Sequence, residues 1–269
     1  MPCSCPLPSS YLAHLPSEDK AKFAAANSVW LKKSPLAFRK EFLQTNADYF
    51  GADIFSSEFD EKTLSDINQW VSDCTNGMIP EILDEIPPLT VMYLINALSF
   101  DAEWQTIYRE EQIYESAFIN SDGKTERVSM MCAEESCYLH DGKATGFAKP
   151  YVSGYSFVAM LPDEGVTLEE YIPSMSLTDI AQQIRSDEKE PVMAAIPKFN
   201  TAYAAELSNI LKQAGMTDAF DPDNADFTEM ADVKPGDLYI NRVLHKTAIN
   251  VDERGTKAGA VTAVEICCW

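Results

Sequence analysis

The side chains that could carry out catalysis are few, and none lies in a recognisable catalytic motif. The 269-residue chain has three histidines, His14, His140 and His245, and none has the local sequence expected of a Ser-His-Asp triad. The patterns G-x-S-x-G, H-E-x-x-H, the phosphate-binding P-loop and the dinucleotide-binding G-x-G-x-x-G are absent from the sequence. We therefore predict that the protein is not an enzyme.

Two clusters of potential metal ligands have unsuitable spacing. The acidic run from Asp221 to Asp226 resembles a calcium loop, but it lacks the glycine and the terminal glutamate of an EF-hand. Cys3 and Cys5 are separated by one residue, whereas zinc knuckles usually have two. The seven cysteines are odd in number and irregularly spaced, which does not describe a disulfide framework. We expect neither a metal site nor a cofactor.

The charge balance excludes one class of partner. With 42 acidic and 21 basic residues the chain carries a net charge of −21. Nucleic-acid binding requires a basic face, so we expect no nucleic-acid partner. No apolar run approaches the roughly 20 residues that span a bilayer, so we expect no membrane partner, and the N-terminus has no recognisable secretion signal. The hydrophobic fraction of 46% is ordinary for a globular protein.

The elements that would position functional residues are strands and helices in mixed order. Residues 90–100 form a nearly continuous apolar run, typical of a strand buried on both faces, with Asn96 in its middle. Thr63 and Asp66 have the spacing of a helix capping box. We predict an α+β protein built around a large sheet. The other predicted strands cover residues 24–31, 126–131, 155–161, 192–199 and 238–251, and the other predicted helices follow Ser34-Pro35 and cover residues 204–214.

The last part of the chain is unusual in composition. From Gly255 onward the residues are small and tolerated in strands, and Lys257 is the only charged residue before Glu265. A flexible tail would be more polar, and a core strand would carry larger side chains. Two interpretations are open: an ordinary edge strand, or a segment that exists both as an exposed loop and as a strand inserted in a sheet.

Four blocks of sequence resemble the serpins, in serpin order. Residues 67–83 resemble the helix that crosses the main sheet, and residues 95–104 (INALSFDAEW) match the strand usually written N-A-x-x-F-K-G-x-W. Residues 196–230 resemble the block from a strand through a helix to an A-D-F-S-like turn, and residues 245–265 resemble the strand and proximal hinge of the reactive loop. The resemblance as a whole covers about residues 23–266. The segments VLHKT (243–247) and GTKAGAVTAVE (255–265) are most similar to the sequences of bacterial serpins.

This resemblance implies an inhibitor of serine or cysteine proteases that acts outside the cell. In a serpin, the target protease cleaves an exposed reactive loop, and the loop then inserts into the main sheet as a new strand. Small side chains at the hinge make insertion possible, and Lys257 is tolerated because alternate side chains of the inserted strand face solvent. The implied hinge consists of Gly255, Thr256, Ala258, Gly259, Ala260, Val261 and Thr262, preceded by the acidic position Glu253.

The resemblance also assigns residues to the region where the sheet opens. Asn96, Trp104 and His245 match residues of the serpin shutter and breach. We predict that the side chains of Asn96 and His245 lie about 3 Å apart, within hydrogen-bonding distance. Such a pair would hold its two strands together until the loop inserts.

The chain departs from the serpin pattern in ways that leave a second functional hypothesis open. Asp101-Ala102 stands where family members usually have Lys-Gly. We interpret residues 1–22 as a poorly ordered segment and residues 23–269 as a partial serpin domain, incomplete at both ends, that stops within the reactive loop. The alternative to a protease inhibitor is therefore a non-inhibitory serpin remnant or binding protein; a hydrolase is opposed by the missing motifs.

Overall fold

The computed structural model describes Leu15 and residues 19–120 and 123–268, which form three β-sheets with helices packed against them. The predicted α+β class with a large sheet is confirmed. Cys3, Cys5, His14 and Trp269 lie outside the described residues, as does most of the segment 1–22. Strand β1 begins at Ala21, and the predicted boundary after residue 22 stays a prediction.

The described residues form twelve strands and five α-helices in mixed order. The strands are β1 (Ala21–Lys32), β2 (Ala52–Ser57), β3 (Thr90–Glu103), β4 (Ile113–Ile119), β5 (Thr125–Glu135), β6 (Tyr138–His140), β7 (Ala144–Pro150), β8 (Ser156–Pro162), β9 (Val192–Pro197), β10 (Phe199–Glu206), β11 (Leu238–Val251) and β12 (Gly255–Cys268). The α-helices are α1 (Lys40–Phe50), α2 (Glu61–Cys74), α3 (Leu168–Tyr171), α4 (Leu177–Arg185) and α5 (Ser208–Gln213), and short 3₁₀ turns cover Glu110–Gln112, Ile172–Ser174 and Asp218–Phe220.

The main sheet has six strands in the order β10-β11-β12-β3-β1-β2. Strands β1 and β2 run parallel, whereas β12 is antiparallel to both of its neighbours, β11 and β3. The two smaller sheets have the orders β4-β5-β9 and β6-β7-β8. The last strand of the described chain, β12, therefore lies in the middle of the main sheet. One neighbour, β11, directly precedes it in sequence, and the other, β3, comes much earlier.

Helix α2 covers one face of the main sheet. Its buried residues Ile67 and Val71 pack in one cluster with Tyr93 of β3 and Val261 of β12. The helix begins one residue after Asp60, whose carboxylate accepts a hydrogen bond from the Thr63 backbone at 2.9 Å. The predicted Thr63 and Asp66 capping box is therefore wrong, because Asp60 supplies the cap and Thr63 lies within the first turn.

Two predicted helices begin later than expected. The first was expected after Ser34-Pro35, but α1 starts at Lys40. In the predicted helix 204–214, residues up to Glu206 instead continue β10, and α5 covers only Ser208–Gln213. Pairing of β10 with β11 satisfies backbone groups that the helix would otherwise have satisfied.

Within the described ranges, we find no helix with the length and apolar character needed to cross a membrane.

Candidate functional site

The residues predicted as a hinge form the first part of β12, inserted between β3 and β11. Thr256 is paired with Ala102 of β3 and with Val251 of β11, and Thr262 is paired with Asn96 and His245. The inserted strand continues past the predicted hinge to Cys268. The sequence left open an ordinary edge strand or a segment that can insert into a sheet. In this structure the segment is a strand in the interior of the sheet and not at its edge.

A tight turn connects β11 to β12. The Asp252 carboxylate accepts hydrogen bonds from the backbone N–H groups of Arg254 and Gly255, at 2.8 and 3.2 Å. The Asp252 N–H in turn donates to the Gly255 carbonyl at 3.1 Å. A Cβ atom at Gly255 would lie 2.0 Å from the Ala102 carbonyl oxygen, so only glycine fits where the strand enters the sheet.

Glu253 lies on the surface of this turn. Its carboxylate pairs with the Lys198 ammonium at 2.6 Å, and both side chains are about one third exposed. The hydrogen bond from Lys198 holds the pKa of Glu253 below its ordinary value. The Glu253 carbonyl accepts a hydrogen bond from the Tyr108 backbone at 3.0 Å, which ties the turn to the segment after β3.

Thr256 and Trp104 belong to one buried cluster at the N-terminal end of β12. Thr256 is 4% exposed, and its hydroxyl accepts a hydrogen bond from the Tyr151 hydroxyl at 2.6 Å. Burial raises the pKa of Tyr151 to about 12, so this phenol is a proton donor at neutral pH. Trp104 stacks on Tyr151 with ring centroids 4.5 Å apart, and its indole N–H donates to the Asp252 carbonyl at 2.9 Å. The cluster therefore contacts both the turn and the first strand residues.

The middle of β12 passes beneath the end of helix α2. A Cβ atom at Gly259 would lie 3.0 Å from the Met78 Cβ and 3.4 Å from the Thr75 Cβ. Val261 is buried in the same cluster as α2. Ala258, Ala260 and Thr262 point to the opposite face of the sheet and are partly buried.

Lys257 lies on the same face as Gly259 but is solvent-exposed. Its side chain is 58% exposed, and its ammonium is 3.5 Å from the Asp101 carboxylate. The prediction that this charge faces solvent is confirmed. The two residues after it on this face, Gly259 and Val261, are buried, so the exposure of Lys257 comes from its position at the start of β12.

The predicted contact between Asn96 and His245 is wrong in this structure. Asn96 on β3 donates to the Asn27 side chain at 2.9 Å, whereas the His245 Nδ1 atom is 2.8 Å from the Thr262 hydroxyl. The two residues lie on strands that are not neighbours, because β12 lies between them and places Thr262 opposite both. The inserted threonine supplies a partner for His245.

Glu265 is a residue of the inserted strand that the sequence analysis did not assign to the site. Its side chain has no exposure to solvent, and its carboxylate pairs with the Arg242 guanidinium at 3.0 Å. The signal was a single carboxylate in the otherwise uncharged run 258–268. A charge in such a run needs a buried partner if the run is a core strand.

Comparison with known proteins shows which family this chain resembles. The family model described as "Serpin (serine protease inhibitor)" matches residues 7–269. The chain is 29% identical to Serpin B10 of Sorex araneus over 252 residues, covering 90% of this chain and 63% of that protein. It is 30% identical to Serpin B6 of Pongo abelii over 249 residues, covering 88% of this chain and 65% of that protein. The chain thus spans less than two thirds of the length of these two relatives.

Solved serpin structures share the fold. The thermophilic serpin Tengpin in its latent state is 47% identical with a TM-score of 0.88, over 95% of this chain and 70% of that one. Tengpin in its native state is 46% identical with a TM-score of 0.84, over 91% of this chain and 64% of that one. The family model matches nearly the whole chain, and the fold with its six-stranded sheet matches solved serpin structures. The protein therefore belongs to the serpin family.

Proposed function

We propose that this chain carries the insertion machinery of an inhibitor of serine or cysteine proteases, which acts by cleavage of its reactive loop and insertion of that loop into the main sheet. The observation that carries the proposal is the position of β12 as a central strand between β3 and β11. In the proposed mechanism the same segment is first exposed as bait for the protease.

Insertion would be driven by pairing and burial. In the exposed loop the backbone groups of residues 255–268 are solvated, whereas in the sheet they pair with strands on both sides. Val261, Ala263 and Ile266 become fully buried. Burial of apolar surface stabilises by about 25 cal/mol per Å², so the inserted state would be lower in free energy than the exposed loop.

The covalent step belongs to the target protease. Its nucleophilic serine or cysteine attacks the carbonyl carbon of the scissile bond, the bond to the following nitrogen breaks, and the amine leaves with a proton. The upstream loop remains joined to the protease as an acyl-enzyme. Insertion of β12 before water hydrolyses this ester or thioester would carry the protease along the sheet and distort its active site.

The test is to look for a covalent complex. The chain, expressed within its full-length protein where a longer one exists, is incubated with a panel of serine and cysteine proteases and separated by denaturing gel electrophoresis. We expect at least one protease to give a complex that survives SDS. Cleavage by every protease in the panel without such a complex would favour the alternative, a non-inhibitory serpin.

A hinge variant provides the matched control. Thr256→Arg would bury a guanidinium next to Tyr151, at a site that is 4% exposed. We expect this variant to be cleaved as a substrate with at least about tenfold less complex, because slow insertion leaves time for hydrolysis. Lys257→Arg, at the exposed neighbouring position, should form the complex normally. Equal amounts of complex from Thr256→Arg and the parent would contradict the proposal.

Two finer assignments from the sequence resemblance are also proposals. The sequences of residues 243–247 and 255–265 support a similarity to bacterial serpins, and the resemblance to the serpin family supports an extracellular place of action. Immunodetection in the cells and in the culture medium of the source organism would test the location. Protein found only inside intact cells would refute it.

A further inference from the structure

Glu265 is a carboxylate sealed inside the main sheet. It lies on β12 between Val264 and Ile266, and its side chain has no exposure to solvent. Burying an ionised carboxylate is costly unless charge and hydrogen bonds compensate for the lost hydration. The residues around Glu265 must therefore supply a positive charge and hydrogen-bond donors.

Three side chains donate hydrogen bonds to both oxygens of this carboxylate. The Tyr93 hydroxyl donates to Oε2 at 2.6 Å, and the Arg242 Nε–H donates to the same oxygen at 3.0 Å. The Asn241 amide donates to Oε1 at 2.6 Å. Burial and the bond to Glu265 raise the pKa of Tyr93, so its hydroxyl is a proton donor at neutral pH.

A β-bulge in β11 brings two of these donors to one position. Ile240 is paired with Ile266 and Arg242 with Glu265, so Asn241 is an extra residue in β11. A bulge places two residues opposite one and redirects their side chains. On the other side, Tyr93 of β3 is paired directly with Glu265. The donors therefore come from both strands that flank the insertion.

The donors are held in place by residues outside β12. The Arg242 Nη2 atom donates to the Glu85 carbonyl at 3.3 Å, and the Tyr93 ring stacks on Phe59 with centroids 5.8 Å apart. Tyr93 has no exposure to solvent. The nitrogen and oxygen donors of the site thus come from the body of the protein, and β12 contributes the carboxylate together with the Cys267 thiol, whose Sγ lies 3.9 Å from Oε1.

We propose that Tyr93, Asn241 and Arg242 form a carboxylate-binding site whose ligand is Glu265, and that its occupation fixes the register of the inserted strand and completes the insertion. A slip of one residue would turn Glu265 to the opposite face of the sheet. A slip of two residues would place Ala263 or Cys267 opposite Tyr93. In either case a carboxylate is buried without donors, so only one register is favoured. The inference rests on the proposed function for the loop's earlier exposed state.

The first test replaces the ligand with its neutral isostere in the 269-residue chain. We expect Glu265→Gln to raise the unfolding equilibrium constant, measured by urea titration, by roughly 10- to 100-fold, because the Arg242 charge loses its partner. Amide hydrogen exchange of residues 263–268, measured by mass spectrometry, should increase at least about tenfold. The control is Asp101→Asn, which removes the exposed partner of Lys257 on the same sheet and should change both by less than about twofold.

A double-mutant cycle separates a binding site from simple packing. Tyr93→Phe removes one donor and keeps the ring. We expect it to raise the exchange of residues 263–268 at least about fivefold in the parent, and less than twofold in the Glu265→Gln background. If Glu265→Gln matches the Asp101→Asn control, or if Tyr93→Phe has the same effect in both backgrounds, the proposal is wrong.

Poor folding of Glu265→Gln would leave the test intact. Tyr93→Phe and Arg242→Lys are then compared with the parent by exchange of residues 263–268, with α2 as the internal reference. Unchanged exchange of residues 263–268 in both variants would overturn the proposal. No protease enters these measurements. The absence of an SDS-stable complex would therefore reject the inhibitory function but not the carboxylate-binding site. A double-mutant cycle without coupling would reject the carboxylate-binding site but not the inhibitory function.

Discussion

Gly259 illustrates how one missing side chain permits a strand to pass under a helix. A Cβ atom there would already be 3.0 Å from Met78 and 3.4 Å from Thr75, which close the end of α2. The backbone at this position does not have a positive φ, so the need for glycine comes from space and not from conformation. Residue 259 is therefore the position in the middle of β12 where a larger side chain would collide with the end of α2.

We predict that Gly259→Val destabilises the chain by about 1–3 kcal/mol, because the branched side chain must displace Met78 or Thr75 in a packed core. Urea unfolding followed by circular dichroism measures the change. Ala260→Val adds bulk on the opposite, partly open face and should cost less than half as much. Equal losses for the two variants would show that the α2 contact is not the limiting one.

At the scale of elements, the turn between β11 and β12 allows the chain to reverse within residues 252–255. One carboxylate, Asp252, accepts hydrogen bonds from the backbone N–H groups of two successive residues, Arg254 and Gly255. Trp104 and Tyr108 hold the carbonyls of Asp252 and Glu253 from the other side. The turn is thus anchored to the segment that follows β3, across the inserted strand.

We predict that Asp252→Ala destabilises the chain by about 1 kcal/mol, because the amides of Arg254 and Gly255 lose their acceptor. Hydrogen exchange of those two amides, followed by NMR, should accelerate while exchange within α2 stays unchanged. Asp252→Asn retains an acceptor oxygen and should lose less than half as much. A full-sized loss in Asp252→Asn would mean that the negative charge, and not the acceptor, is what matters.

At the scale of the whole molecule, the net charge of −21 produces repulsion that the fold must overcome. Several ion pairs that offset it lie near the turn region, among them Glu103 with Lys20 and Arg254. These pairs are largely exposed and individually weak. The stability of the molecule should therefore depend on ionic strength through the excess of acidic groups.

We predict that raising NaCl from 10 mM to 0.5 M at pH 7.5 increases the thermal midpoint by a few degrees, since salt screens the repulsion between exposed carboxylates. Differential scanning calorimetry measures the shift. At pH 5, nearer the pI of 4.4, the same change in salt should have a smaller effect. A midpoint that falls with salt at pH 7.5 would show that the favourable ion pairs outweigh the net repulsion.

Local sequence determined some of the elements and the character of the inserted segment. The bounds of the strand Leu238–Val251 were predicted from its residues, and the small residues after Gly255 indicated a segment able to enter a sheet. The exposure of Lys257 was expected from the resemblance to an inserted serpin strand, and the structure shows it 58% exposed. These properties depend on neighbouring residues in the chain, and a sequence displays them directly.

Only the tertiary structure decided which strands are neighbours, and this changed the partners of the functional residues. With β12 between them, Asn96 and His245 contact Asn27 and Thr262 instead of each other. The site around Glu265 could not be predicted either, because its donors come from β3 and from a bulge in β11. Pairing between strands distant in sequence depends on which arrangement buries the most surface and satisfies every buried polar group, and that balance is set by the whole fold.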